Sequence, residues 1–187
     1  MTQNIERWQD GDREAFEALF IQYKNLVFKN AYLITGSREE ADDILQEVFL
    51  SVWRFRRTYN PGKAKLVTWL HRITINECSR NYHKDNQVIA SIEGMDIAEI
   101  ISRQPEEVTI ARYEYDRLLK ALDSIEEKHR VVLVLRYFND LSYKEIAEVL
   151  DLPVGTIKSR ISRALVSLKS NFITEPMELS GGGGHEL

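Results

Sequence analysis

The sequence has few of the residues that mark secreted, membrane-spanning or β-rich proteins. Cys78 is the single cysteine, which excludes an internal disulfide and fits a reducing compartment. No apolar run approaches the length of a membrane span, and the N-terminal stretch Met1–Asp12 carries no signal-peptide pattern. Strand-like alternation is almost absent, whereas apolar residues recur at helical spacing along most of the chain. We therefore expect an all-α, cytoplasmic protein that makes no membrane contact of its own.

Patterns of catalytic or cofactor sites are missing as well. The run Gly181–Gly184 opens no helix, so it does not have the context of a phosphate-binding loop and instead predicts a flexible tail. His71, Cys78 and His83 are separated by seven and five residues, which places them on different faces of one helix and argues against a metal site. We expect no catalytic residues, no metal, no cofactor and no enzyme activity.

Charge is segregated along the chain, although the net charge is only −4. Residues 54–84 hold eight basic residues and a single acid, Glu77. Residues 1–53 hold five basic and ten acidic residues, and residues 85–117 hold three basic and eight acidic residues. Salt screens charges over about 8 Å, so local patches decide which partners bind. The overall acidity therefore does not exclude nucleic acid as a partner.

The segment Leu141–Lys169 has the pattern of a helix-turn-helix. Ser142 and Glu145 have the spacing of a capping box, and Pro153 can open a second helix after a break at Asp151. The polar face of the second helix combines short hydrogen-bonding side chains with Lys and Arg, which suits base edges and phosphates. The alternative is an ordinary helical hairpin with a solvated polar face. The cap, the turn and the one-sided basic face together favour a DNA-reading motif.

Helical spacing predicts three further helices in the N-terminal half, over Arg13 to Tyr32, from Ser37 to about Phe55, and from about Thr68 to His83. The second of them carries an exposed acidic surface at i, i+3 and i+4, formed by Asp43, Gln46 and Glu47. From the residues alone, a solvated face and a partner-binding ridge are equally good interpretations of this surface.

The third of these helices carries Arg72, Asn76 and Arg80 at every fourth position. An amide between two guanidinium groups suits bases and phosphates together. Tyr59 and Asn60 lie in the loop before this helix, and we expect both side chains to be free to contact an unstacked base.

Three stretches of the chain resemble the extracytoplasmic-function (group IV) sigma factors, the promoter-recognition subunits of bacterial RNA polymerase. They are EADDILQEVFLSVWRF, TWLHRITINE and YKEIAEVLDLPVGTIKSRISRAL. The resemblance implies a region-2-like helical domain over residues 1–84 and an acidic, flexible linker over residues 85–117. It further implies a region-4-like helix-turn-helix domain over residues 118–172 and a flexible tail over residues 173–187.

The resemblance also implies a role for each group of polar residues. Asp43, Gln46 and Glu47 match the helix that binds the clamp helices of the largest polymerase subunit. The loop and the third helix of the first domain match the part that takes and melts the minus-ten promoter element; the matching residues are Tyr59, Asn60, Lys63, Lys65, Arg72, Asn76 and Arg80. The second helix of the helix-turn-helix matches the one that enters the major groove at the minus-thirty-five element; the matching residues are Val154, Gly155, Thr156, Lys158, Ser159, Arg160 and Arg163.

The partners implied by the resemblance are core RNA polymerase, through its clamp helices and its flap, single- and double-stranded promoter DNA, and an anti-sigma protein. The family often has Asp and Arg where this chain has Arg80 and His83, so the promoter sequence stays open. Two other classes are compatible with the residues alone. One is a stand-alone dimeric helix-turn-helix regulator, and the other is an anti-sigma-like or scaffold protein without a DNA role.

Overall fold

The computed structural model describes residues 2–82 and 117–174, and almost all of them are helical. In chain order the elements are α1 (Thr2–Gln9), α2 (Arg13–Thr35), α3 (Arg38–Arg54), a 3-10 turn (Arg56–Thr58), α4 (Leu66–Tyr82), α5 (117–123), α6 (Glu127–Leu133), a π-helical turn (Val134–Phe138), α7 (Tyr143–Leu150) and α8 (Val154–Thr174). No strand occurs within these two ranges, and the all-α prediction is confirmed. Most of the predicted linker and of the predicted tail lies outside the described residues, as does His83.

Local capping signals fix the starts of α2, α3 and α7. Asp12 caps α2 by accepting hydrogen bonds from two first-turn N–H groups, and α2 ends where Gly36 adopts a φ of +74°. The predicted capping box at the start of α7 is present, with Ser142 and Glu145 bonding each other's backbone N–H. Asp151 then ends α7 in the left-handed region, with a φ of +53°. This turn sets the direction in which α8 leaves α7.

Helices α2, α3 and α4 pack against one another as the core of the N-terminal half. The sequence did not predict α1, which docks on this core through the fully buried Trp8. The Trp8 ring lies 6.0 Å from the Tyr59 ring and 5.8 Å from the Trp69 ring, measured between centroids. Burying a large aromatic side chain contributes on the order of 1.5–3 kcal/mol, which is enough to hold so short a helix in place.

In the C-terminal half, α8 packs across α6 and α7. Ile157, Ile161 and Ala164 point inward from α8, and Ile146 and Val149 do so from α7. Because these apolar residues occupy one side of α8, the basic residues between them face outward. Two helical halves therefore flank residues 83–116, and the second contains the predicted helix-turn-helix.

The two halves also pack directly on each other, through contacts that the sequence did not predict. The buried guanidinium of Arg130 donates from Nη1 to the carbonyl oxygen of Ile34, at 2.6 Å. Asn139 donates from Nδ2 to Oδ1 of the buried Asn30 at 2.7 Å, and Asn30 lies 3.0 Å from Nδ1 of His71. These polar contacts add to the apolar contacts between the halves, whose buried residues belong to one hydrophobic cluster.

Candidate polymerase and nucleic-acid interface

The acidic ridge, defined as Asp43, Gln46 and Glu47, lies on the outer side of α3. All three side chains are exposed or partly exposed, while Ile44 and Val48 beside them are fully buried in the core. The ridge therefore follows directly from the amphipathic pattern of α3. All three residues lie beyond the first turn of α3, where the helix dipole favours acids only weakly. The surface carries a net negative charge that complements a basic partner.

Leu50 extends the acidic ridge by one turn, although the sequence pattern did not single it out. Its side chain is 54% exposed and follows Glu47 at i+3 on the same helical face. An exposed large apolar side chain beside complementary charges is a common composition for the centre of a protein–protein interface. The i+7 offset from Asp43 is the sequence signal that could have identified it.

Tyr59 is buried, contrary to the expectation that it is free to stack on a base. Only 5% of the residue is exposed, because α1 covers it with Trp8 and α4 supports it with Trp69. Its hydroxyl donates to the carbonyl oxygen of Ala64 at 3.1 Å, and burial raises the pKa of the phenol. Tyr59 therefore holds the shape of the loop that precedes α4 instead of presenting a ring to DNA.

The other predicted loop residues, Asn60, Lys63 and Lys65, are exposed. Oδ1 of Asn60 accepts from the Gly62 N–H at 2.8 Å, which forms a tight turn stabilised by the side chain. Nζ of Lys65 lies 3.7 Å from Oε1 of Glu145 in the C-terminal half. The loop thus presents two ammonium groups on a backbone fixed by Asn60 on one side and by the buried Tyr59 ring on the other.

The minus-ten line, defined as Arg72, Asn76 and Arg80, lies on one exposed side of α4 as predicted. Nη1 of Arg80 contacts Oε1 of the buried Glu77 at 2.9 Å. At the other end of the line, Nε of Arg72 donates to the carbonyl oxygen of Val149 at 3.4 Å. The line is therefore held at both ends, once within α4 and once by the opposite half.

The recognition helix α8 carries the residues predicted for the major groove. Gly155, Lys158, Ser159 and Arg163 are exposed, and Val154, Thr156 and Arg160 are exposed or partly exposed. A Cβ added at Gly155 would meet no atom within 4 Å, so the backbone there is bare to an approaching partner. The first turn of α8 contains the small residues Gly155 and Thr156, and cationic side chains follow it. This arrangement fits entry into a DNA groove.

A solvent-open cleft of about 640 Å³ separates the minus-ten line from the C-terminal half. Arg72, Asn76 and Ser79 line one wall, and Glu127, Asp151 and Arg160 line the other. Ser79 crosses the cleft to donate to Oε1 of Glu127 at 2.8 Å. A space of this size suits a small molecule, and it does not admit a DNA duplex.

Two of the three residues considered for a metal site, His71 and Cys78, lie in the described part of the chain, and both are buried. His71 is buried against Asn30, and burial lowers its pKa to about 4. Cys78 is buried in the core, where burial raises the pKa of its thiol well above the usual range. Within residues 2–82 and 117–174 no group of three His, Cys, Asp or Glu side chains is placed to hold a metal ion. In the same ranges no helix is long and apolar enough to cross a membrane.

Comparison with known families finds two matches, which together cover both halves. Residues 19–87 match the family model of Sigma-70 region 2, and residues 115–168 match that of Sigma-70, region 4. The chain is 30% identical over 178 residues to the ECF RNA polymerase sigma factor SigW of Bacillus subtilis strain 168, covering 90% of this chain and 94% of SigW. It is 31% identical over 174 residues to the ECF RNA polymerase sigma-E factor of Escherichia coli K12, covering 86% of this chain and 87% of that protein.

Two solved structures share the fold. One is CnrH in complex with the cytosolic domain of CnrY, with a TM-score of 0.69 and 22% identity over 92% of this chain and 97% of that one. The other is RpoE in complex with the anti-sigma factor NepR from Bartonella quintana, with a TM-score of 0.65 and 21% identity over 86% of this chain and 98% of that one. With near-complete coverage of SigW, matches to both sigma regions and a helix-turn-helix in place, the chain belongs to the ECF family of RNA polymerase sigma factors.

Proposed function

We propose that this sigma factor directs core RNA polymerase to promoters through three separate surfaces. The acidic ridge with Leu50 docks on polymerase, the minus-ten line and its loop take the melted element, and α8 reads the minus-thirty-five element. In this division of labour, residues 1–84 form the polymerase-binding and melting domain and residues 118–172 the upstream reading domain. The chain acts in the cytoplasm as an initiation factor and not as an enzyme.

The polymerase contact is supported by the composition of the ridge. Asp43 and Glu47 provide charge that steers a basic helical partner, and Leu50 provides the apolar area that charges alone lack. Isolated surface ion pairs contribute only about 0–1 kcal/mol each, so the apolar contact carries a large share of the affinity. The proposed partner is the clamp-helix coiled coil of the largest subunit, with the flap as a second contact for the C-terminal half.

The minus-ten contact uses the exposed residues of the N-terminal half, which are Asn60, Lys63, Lys65, Arg72, Asn76 and Arg80. Lys and Arg neutralise phosphates, while the two amides can bond the edge of an unstacked base. Unstacking and unpairing one base costs a few kcal/mol, and a good base contact returns about 1–3 kcal/mol. The chain alone therefore melts DNA poorly and depends on polymerase to hold it at the site.

The minus-thirty-five contact uses α8 as a recognition helix in the major groove. Gly155 and Thr156 lie in its first turn, and Ser159 and Arg163 follow on the exposed side. Lys158 and Arg160 flank this side and suit phosphates. When both halves are bound to polymerase, the second DNA contact becomes effectively intramolecular, so two modest contacts suffice for promoter choice.

Control by an anti-sigma protein is part of the proposal. It rests on the structure in which RpoE, a protein of the same fold, is bound to the anti-sigma factor NepR. Such a protein would compete with polymerase or with DNA for the surfaces named above.

The single observation that carries the proposal is that the ridge, the minus-ten line and the α8 face are all exposed on one family fold. The test is gel filtration with purified core enzyme, followed by run-off transcription on genomic promoter fragments. We expect co-elution and new, specific start sites with the unaltered chain. Glu47→Lys should weaken both, because it replaces an attraction by a repulsion, whereas Glu17→Lys, the same charge change on an exposed part of α2, should leave both unchanged. Start sites identical to those of core enzyme alone would refute the proposal.

A further inference from the structure

The single acid of the basic segment, Glu77, is not among the residues proposed to contact the promoter. Residues 54–84 hold eight basic residues beside it, and an exposed carboxylate there would repel DNA phosphates. The structure avoids this repulsion, because Glu77 is buried and only 8% of it is exposed. Its charge therefore lies beneath the surface that the minus-ten line presents.

A buried carboxylate needs partners, and Glu77 has one on each of two helices. Oγ of Ser51 on α3 donates to Oε1 of Glu77 at 3.2 Å, and Ser51 is buried as well. Nη1 of Arg80, one turn further along α4, donates to the same oxygen at 2.9 Å. A buried charge without such partners is strongly unfavourable, so the three side chains are held in one arrangement.

Of these three side chains, Arg80 is the one that reaches solvent. Its side chain is 70% exposed, and it forms one end of the minus-ten line. A long arginine side chain on a helix surface samples many rotamers, and ordering it costs conformational entropy. The bond to Glu77, at i and i+3 on α4, fixes the guanidinium through one nitrogen and leaves further N–H donors for a base or a phosphate. The contact therefore orders Arg80 before DNA binds.

We propose that Glu77 is a positioning residue for base recognition: anchored by Ser51, it holds the Arg80 guanidinium in the orientation in which Arg80 reads one base of the minus-ten element. This inference rests on the proposed function of the minus-ten line. Glu77 does not touch DNA, and its effect on promoter choice passes through Arg80. Because the entropy of the Arg80 side chain is lost on folding and not on binding, the base contact becomes more selective.

A purely electrostatic role for Glu77 predicts a different result, so the two roles can be separated. Removing a negative charge near phosphates raises the affinity for DNA of any sequence, and salt reduces the gain. Removing a positioning residue instead lowers the discrimination between bases. The base preference, and not the overall promoter strength, is therefore the quantity to measure.

Run-off transcription with core enzyme measures this preference on a panel of promoters, each with one base of the minus-ten element replaced. Arg80→Ala first identifies the position at which Arg80 discriminates, where the preference should fall about fivefold or more. Glu77→Gln keeps the shape of the side chain and removes its charge. We expect it to lower the preference about threefold at the same position, because the amide orders the guanidinium less well. All other positions should keep their preference.

Further variants distinguish positioning from a loss of stability. Ser51→Ala removes the anchor without changing a charge, so it should lower the same preference about twofold. Thr74→Val is the matched control, because it also removes one buried hydroxyl, which bonds the Leu70 carbonyl oxygen within α4. It should leave every base preference unchanged. Arg80→Ala combined with Glu77→Gln should match Arg80→Ala alone, since Glu77 then has no guanidinium to position.

The outcomes separate this inference from the proposed function. If Glu77→Gln keeps the full preference at the Arg80-dependent position, or strengthens all promoters equally, the inference is overturned while the proposed function stands. If Glu77→Gln does not fold, Ser51→Ala decides by the same criterion, with Thr74→Val as its reference. If Arg80→Ala changes no base preference, Arg80 does not read the minus-ten element, and the inference fails together with that part of the proposed function.

Discussion

The two helices proposed to read DNA, α4 and α8, differ in how their polar faces are supported. On α4 the polar line is supported from within by Glu77 and faced from outside by the C-terminal half. On α8 the polar face begins with a bare glycine backbone and stands in solvent. The difference is that the end residues of the minus-ten line have protein partners, whereas the proposed upstream face of α8 stands in solvent.

The largest expected effect comes from removing Trp8, whose ring supports the loop before α4. Trp8→Ala should lower the free energy of unfolding by about 3–5 kcal/mol, because a fully buried indole leaves a cavity beside Tyr59 and Trp69. Chemical denaturation measures the loss, and hydrogen exchange should rise in the loop before α4 but not in α8. Equal exchange in both places would show that the aromatic contact does not serve the loop specifically.

Acidification should destabilise the fold at His71, which is buried against Asn30 in the N-terminal half. The pKa of His71 in the fold is about 4, below its ordinary value of 6.5, because burial disfavours the charged ring. The unfolded chain thus takes up a proton first, so the contribution is fully present above pH 6.5 and falls by about 3 kcal/mol as the pH drops to 4. Denaturation at several pH values measures this slope. His71→Gln, neutral throughout, should flatten it; an unchanged slope would assign it to other groups.

A substitution in α8 and one in the loop before α4 should lower promoter use in different ways. Arg163→Ala should weaken promoter use by about 1–3 kcal/mol, and unevenly among upstream sequences, because a base contact depends on sequence. Lys65→Ala in the minus-ten loop should instead weaken all promoters alike and reduce the salt dependence. Run-off transcription on a promoter panel at two salt concentrations separates the two patterns. Uniform effects from both substitutions would contradict the assignment of the two surfaces.

Loss of the apolar residue beside the acidic ridge should affect both DNA surfaces together. Leu50→Ala should weaken binding to core polymerase by about 1–2 kcal/mol, since an interface loses its central apolar contact. Ile21→Ala is the matched control, because Ile21 is similarly exposed but lies on α2. Titration of labelled chain with core enzyme gives both affinities. If the Leu50→Ala and Ile21→Ala variants bind core polymerase with the same affinity, Leu50 does not belong to the proposed interface.

The smallest expected effect comes from adding a methyl group at Gly155, in the first turn of α8. Gly155→Ala has room in the structure and should raise the unfolding free energy by up to about 1 kcal/mol. The added methyl group should nevertheless weaken binding to a minus-thirty-five duplex, because the backbone approaches the groove closely there. Fluorescence anisotropy and thermal melting measure the two quantities. A gain in both would indicate that DNA does not contact this turn.

The sequence predicted the features that depend on neighbouring residues. The capping signals at Ser37 and Ser142 place the starts of α3 and α7 correctly, and helical periodicity identifies the buried side of α8. The acidic ridge and the minus-ten line follow from spacing of three and four residues within single helices. These properties depend on residues close in sequence, so they can be predicted without knowledge of the tertiary contacts.

The missed features depend on contacts between distant parts of the chain. Helix α1 is short and polar apart from Ile5 and Trp8, so no periodic pattern reveals it, and the burial of Tyr59 follows from α1. Arg130 reads as a surface cation in the sequence, but it is buried and bonded to a carbonyl group 96 residues away. Polar contacts of this kind between the two halves leave no apolar pattern in the sequence.

The placement of Trp8 has a practical consequence for anyone who handles this protein. Trp8 of the first helix packs on the Tyr59 ring, so this helix helps to shape the loop proposed to contact DNA. Gln9 strengthens this link by donating to the carbonyl oxygens of Arg56 and Tyr59. A tag or a truncation that displaces Trp8 and Gln9 would therefore disturb the loop before α4 and leave α8 intact.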